Sequence, residues 1–134
     1  MSYYHAKILN LPFDAALAAA REALAQQGFG VVTELDIHQT LQAKLGESFR
    51  PYTILGACNP RLAYEALQLE DKVGTMLPCN VVVQQRSDES TEVAAIDPVA
   101  SMQAIDNPEL KEKAGEVAAR LRAAIDGLGS VRED

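Results

Sequence analysis

The stretch Pro51 to Gln85, PYTILGACNPRLAYEALQLEDKVGTMLPCNVVVQQ, decides how this chain is read. It holds both cysteines, each in the same local setting: an apolar run with a Cys-Asn step and a proline directly beside that step, as Ala57-Cys58-Asn59-Pro60 and Leu77-Pro78-Cys79-Asn80. Tyr52 to Cys58 is short and nearly continuously apolar, the pattern of a strand buried on both faces. Pro60 suits the first turn of a helix in which Leu62, Ala66 and Leu69 share a face, and Gly74 is expected to break it. From Met76 to Gln85, Cys79, Val81 and Val83 alternate with Asn80, Val82 and Gln84, as in a strand. Pro78 belongs near the start of that strand or at an edge, because it cannot donate to a ladder. One cysteine therefore closes a strand and the other opens one.

The flanks supply the remaining elements. Tyr4, Ala6 and Ile8 alternate with His5 and Lys7, which predicts a strand from Tyr3 to Leu9. Phe13, Leu17, Ala20 and Leu24 then recur at helical spacing, giving a helix from Phe13 to Gln27 with Gly28 as its stop. Phe29, Val31, Leu35 and Ile37 alternate with Gly30, Val32, Glu34 and Asp36, a second strand with one greasy and one mixed face. A short helix over His38 to Leu45 stops at Gly46. Ser87 to Ser90 reads as a polar turn and Thr91 to Ile96 as the returning hairpin strand, ended by Asp97-Pro98. Asn107 as N-cap, Pro108 at the first helical position and the stripe Leu110, Ala114, Val117, Leu121, Ile125 define a closing helix with Gly127 or Gly129 as stop. About five strands and two long helices, with shorter helical turns, make an α+β fold of one sheet covered by helices. Residues 1–129 form one domain on this reading, and 130–134 are a frayed tail.

Composition narrows the function classes. With 134 residues, 48% hydrophobic and 23% charged, the chain has the make-up of an ordinary globular domain. A formal net charge of −7 without a basic cluster argues against nucleic acid as a partner. No apolar run approaches the ~18 residues of a membrane span, and the first residues lack a secretory pattern, so the expected location is cytoplasmic. In that compartment two cysteines are read as free thiols, ligands or catalytic groups before they are read as a disulfide. A structural zinc site wants four ligands, and neither His5 nor His38 lies at a recognised spacing from Cys58 or Cys79, so no metal and no cofactor is expected.

Phe29 to Ile37 (FGVVTELDI), Lys44-Leu45-Gly46, Pro51 to Pro60 (PYTILGACNP) and Leu77 to Val83 (LPCNVVV) together resemble the bacterial and archaeal family called domain of unknown function 302. The resemblance covers Gly28 to Pro98 strongly and the flanks loosely. It implies a single antiparallel sheet likened to the TATA-binding-protein-like class, and a homodimer, but no settled activity. The fold likeness carries no implication of DNA binding.

Within that frame the candidate locus is the rim where the two Cys-Asn steps would meet. Cys58 and Cys79 are the candidate thiols, and Cys58 is the more reactive one on this reading because a helix begins just after it. Asn59 and Asn80 could donate to a thiolate or a ligand oxygen, and Pro60 lets the following helix aim its first N–H groups at the same place. Lys44 could bring a cation to the rim and Tyr52 a hydroxyl. Glu34 and Asp36 would line the wet side of the sheet or partner Lys44. The expected function is binding of a small-molecule ligand, or thiol action, in a pocket at this rim. The alternatives are a structural or interaction module with packed, silent cysteines, and a thiol-disulfide redox protein, which the absence of Cys-x-x-Cys disfavours.

Overall fold

In the computed structural model, which describes residues 2–129, every strand pairs antiparallel in one five-stranded sheet. The elements are β1 (Tyr4–Leu9), α1 (Phe13–Gln26), β2 (Gly30–Asp36), α2 (Ile37–Leu45), β3 (Tyr52–Cys58), α3 (Pro60–Leu69), a 3-10 turn (Asp71–Met76), β4 (Cys79–Ser87), β5 (Ser90–Ile96), α4 (Pro98–Ser101) and α5 (Pro108–Asp126). Strand order is β1-β5-β4-β3-β2, so the first strand and the second strand form the two edges. The expected frayed tail, 130–134, lies outside the described residues.

Alternation decides which side of the sheet is dry. Val81 stands opposite both Leu55 and Ala95, and Val83 opposite both Thr53 and Val93. All of these are at most 3% exposed. They pack with Leu24 and Ala20 of α1 and with Leu121 and Ile125 of α5 in one hydrophobic core. A second, smaller cluster joins Ala66, Val73, Met102, Leu110 and Ala114 under α3 and α4. Thr91, fully buried, donates to the Leu11 carbonyl at 2.8 Å, so its hydroxyl is satisfied inside the core. The opposite face carries Tyr4, Ile8, Ile54, Val82, Ala94 and Ile96, of which Tyr4 and Ile8 are exposed and the others half-buried.

Helix boundaries follow their caps. Asn107 accepts from Glu109 N and Leu110 N, Pro108 takes the first position and α5 runs as its apolar stripe requires. At its far end, Lys7 Nζ donates to the carbonyl oxygens of Asp126 (3.0 Å) and Leu128 (2.6 Å), satisfying acceptors that have no partner in the helix. His5 Nε2 meets Asp126 Oδ1 at 2.7 Å beside it, and this bond holds the Asp126 carboxyl below its usual range.

Three expectations are corrected. Helix α3 ends at Leu69, and Gly74 lies inside the 3-10 turn that follows instead of breaking the helix. Pro98 does not only end a strand: with Asp97 as N-cap, accepting from Val99 N, it starts the short helix α4. In β2 a bulge between Val31 and Thr33 shifts the register. Val31 stands opposite Ala57 on the helix-covered side, but beyond the bulge Leu35 pairs with Ile54 on the open side and Glu34 with buried Leu55. One inserted residue thus reverses the faces that strict alternation predicted. Glu34 pairs with Arg21 of α1, and Asp36 caps α2 by accepting from Gln39 N at 2.9 Å.

Gly56 is fixed by space. A methyl group there would meet Thr33 Oγ1 in hard overlap and Pro78 Cγ at 2.7 Å. The threonine rotor can move; the proline ring at the entry to β4 cannot. Gly56→Ala is therefore expected to destabilise the protein by ~1–3 kcal/mol, the usual range for overpacking, with a lowered midpoint in urea at an unchanged m-value. An unshifted midpoint would show that the β2, β3 and β4 corner yields to the added methyl group.

Candidate functional site

The β3 and β4 ladder sets Ala57 opposite Cys79 and Gly56 opposite Asn80. Because β3 ends at Cys58 and β4 begins at Cys79, both cysteines come to the same rim. They line one hollow with Ala57, Asn59, Leu62 and Ala63, closed from the other side by Met102, Leu110 and Lys113. Both thiols are free; Cys58 is half-buried and Cys79 is 6% exposed.

The hollow is small and almost wholly hydrocarbon. Its volume open to the centre of a water-sized sphere is about 40 Å³. At ~10–15 Å³ per water on that measure, it holds roughly three waters or a few heavy atoms of an apolar group. A nucleotide would not fit without displacing α3 or α4.

Burial acts on Cys79 directly. Desolvation, reinforced by the charge Cys58 would carry, pushes its thiol up from 9.0 to about 11. At neutral pH Cys79 is a neutral wall, which weighs against it as an attacking thiolate. Asn59 is the N-cap of α3: its Oδ1 accepts from Leu62 N at 3.1 Å, so that oxygen is occupied. Pro60 opens the helix from an exposed position and presents no polar group to the hollow.

Three other expected members lie elsewhere. Asn80 is exposed and lines a groove on the open face, because each residue along β4 reverses side and Cys79 already faces the helices. Tyr52 opens β3 six residues before Cys58, about 20 Å away at ~3.3 Å per extended residue, and also lines the open-face groove. Lys44 is exposed in the last turn of α2, which leaves β2 at Asp36, opposite Thr53 and so beside Tyr52. It brings no cation to the thiols.

The cation at this rim is Lys113, which the sequence reading missed. Its Nζ lies 2.7 Å from Glu65 Oε1, an ion pair between α5 and α3, and Lys113 itself lines the hollow. Each partner shifts the other: the bond lowers Glu65 and raises Lys113, as opposite charges do. A signal was present, since Lys113 falls within the helical stripe of Leu110, Ala114 and Val117. Among the described residues no group of three or more His, Cys, Asp or Glu side chains could hold a metal ion.

One antiparallel sheet with helices on a single side, and a thiol-lined corner between its third and fourth strands, defines an α+β chain of the kind the resemblance implied. The chain belongs to the family described as Domain of unknown function DUF302, whose model matches residues 5–128. It is similar to a crystal structure of an uncharacterized conserved protein DUF302 from Bacillus stearothermophilus, with a TM-score of 0.86, 31% identity, and coverage of 94% of this chain and 98% of that one. Comparison with curated proteins gives no match. No helix among the described residues is long and apolar enough to cross a membrane.

Cys79 gives a pH dependence with a fixed sign. Its folded value lies above its unfolded one, so the unfolded chain releases this proton first. The associated stability is intact below pH 9.0 and is lost as pH rises toward about 11. That interval corresponds to roughly 2–3 kcal/mol at ~1.4 kcal/mol per decade of proton activity. Urea unfolding of wild type and Cys79→Ala is expected to show the wild type losing this amount relative to the variant between pH 9 and 11. Parallel curves would mean that Cys79 ionises as freely in the folded chain as in the unfolded one.

Proposed function

We propose that this protein binds a small, predominantly apolar ligand in the hollow between β3, β4, α3 and α5, with the Cys58 thiol at its mouth. One observation carries the reading: two thiols from separate strands line a single hydrocarbon hollow, one half-buried and one sealed. Cys58 supplies a polarizable sulfur to the ligand, and Cys79, kept neutral, forms part of the wall. Lys113, which lines the hollow and is paired with Glu65, supplies its polar border to any polar end of the ligand. Free thiols support a cytoplasmic location. The partner in solution is a second copy of the chain, as the family resemblance implied.

A second reading, packed and silent cysteines, is favoured by the burial of Cys79 alone. Native labelling with N-ethylmaleimide followed by peptide mass analysis separates the two. The ligand reading expects Cys58 to react within minutes at pH 8 and Cys79 only after unfolding. It also expects xenon, used as a probe of the empty space, to shift methyl resonances of Leu62, Ala66 and Leu110, and Ala66→Leu to abolish those shifts. Two unreactive thiols together with unmoved methyl groups would leave the silent module.

A further inference from the structure

The open face of the sheet is a second unexplained surface. It carries Tyr4, Ile54, Val82, Ala94 and Ile96, with a shallow groove of about 370 Å³ running across it. Tyr4 is 44%, Ile8 58% and Leu35 48% exposed. Between those edge residues Ile54, Val82, Ala94 and Ile96 are half-buried, which leaves part of an apolar surface that a further layer would cover. The nine-residue helix α2 is only lightly covered: Ile37 and Leu41 are half-buried. It is capped at both ends, by Asp36 and by Gly46 in the left-handed conformation, yet none of its residues is buried and Leu45 is 67% exposed. A helix of that length is marginal on its own in water, so its apolar stripe Ile37, Leu41, Leu45 calls for a surface to lie on.

Charge limits what the occupant can be. Arg86 lies 2.5 Å from Glu92 across the β4 and β5 ladder, and Arg50 stacks 4.4 Å over the Phe49 ring while donating to Gln84 at 2.9 Å. The face is therefore close to neutral, although the chain carries −7. A nucleic acid finds no set of free cations here. Two copies, by contrast, can meet on this face without superposing their acidic surfaces. The size comes near to what a stable contact needs. Five strands at ~4.8 Å spacing and six residues at ~3.3 Å give ~480 Å² of flat footprint, and α2 adds ~140 Å². With side-chain relief this approaches the ~800 Å² of accessible surface per partner that a stable interface needs.

We infer that a second copy of this chain covers the open face, the two sheets stacking about a two-fold axis with α2 of each copy packed on the rim of the other's sheet. This rests on the self-association proposed above and names its surface. Val82, paired with Ala94 on the central strands, lies at the middle of the contact. The test is sedimentation equilibrium of the full chain, together with amide hydrogen exchange of α2 at low and high protein concentration. Wild type is expected to sediment at twice the chain mass, with α2 exchange slowing at least tenfold as concentration rises. Val82→Glu is expected to weaken association by 100-fold or more while circular dichroism stays native. A monomeric wild type at 100 µM overturns both self-association and this surface. A wild-type dimer whose α2 exchange ignores concentration, or which Val82→Glu leaves intact, overturns this surface and keeps the dimer. Should Val82→Glu fail to fold, the exchange of wild-type α2 alone decides.

Discussion

The register between β3 and β4 is the constraint on which the rest of this molecule hangs. Placing Ala57 against Cys79 and Leu55 against Val81 puts the apolar residues of two central strands on one side, where α1 and α5 cover them. It also brings the end of one strand beside the start of the next. A slip of one residue would turn Cys79, Val81 and Val83 to the open side and expose the core. Gly56 and Pro78 hold that register sterically, because the space for a Cβ at Gly56 is already filled by Thr33 and the proline ring.

The chemistry of the rim follows from what seals it. Hydrocarbon surrounds Cys79 and keeps its proton on, whereas Cys58 sits at the strand end with part of its surface in water. Two sulfurs brought together by one ladder thus have unequal characters. The helix beginning at Asn59 uses that asparagine for its own cap, and the charge beside the hollow comes instead from Lys113 of α5, paired with Glu65 of α3. The rim is built to exclude water from a small space and to leave one polar border.

Much of this was legible in the chain. Asn107-Pro108 with a stripe at helical spacing fixed α5, while alternation located three strands, a continuous apolar run β3 and a polar turn β5, because caps, turns and periodicity are local properties. The convergence of Cys58 and Cys79 followed from their places at strand ends. What failed was parity and distance. The bulge at Val31 and Thr33 inserts one residue without changing composition, so Leu35 and Glu34 were assigned to the wrong faces. Asn80 was grouped with Cys79 although neighbours on a strand face opposite ways, and Tyr52 with Cys58 although a whole strand separates them. Lys113 was missed because its meeting with Glu65 depends on how two helices cross.

The grip of Lys7 on the end of α5 has a consequence for the order in which the molecule can be assembled. Among the described residues β1 has its one sheet neighbour in residues 91–96, and its lysine reaches carbonyls beyond residue 125. During synthesis that segment must wait, unpaired, until residues 91–96 have emerged. Closure of so long a loop before any reward is the hallmark of slow, late-completing topologies, and it makes the first strand the last to be locked.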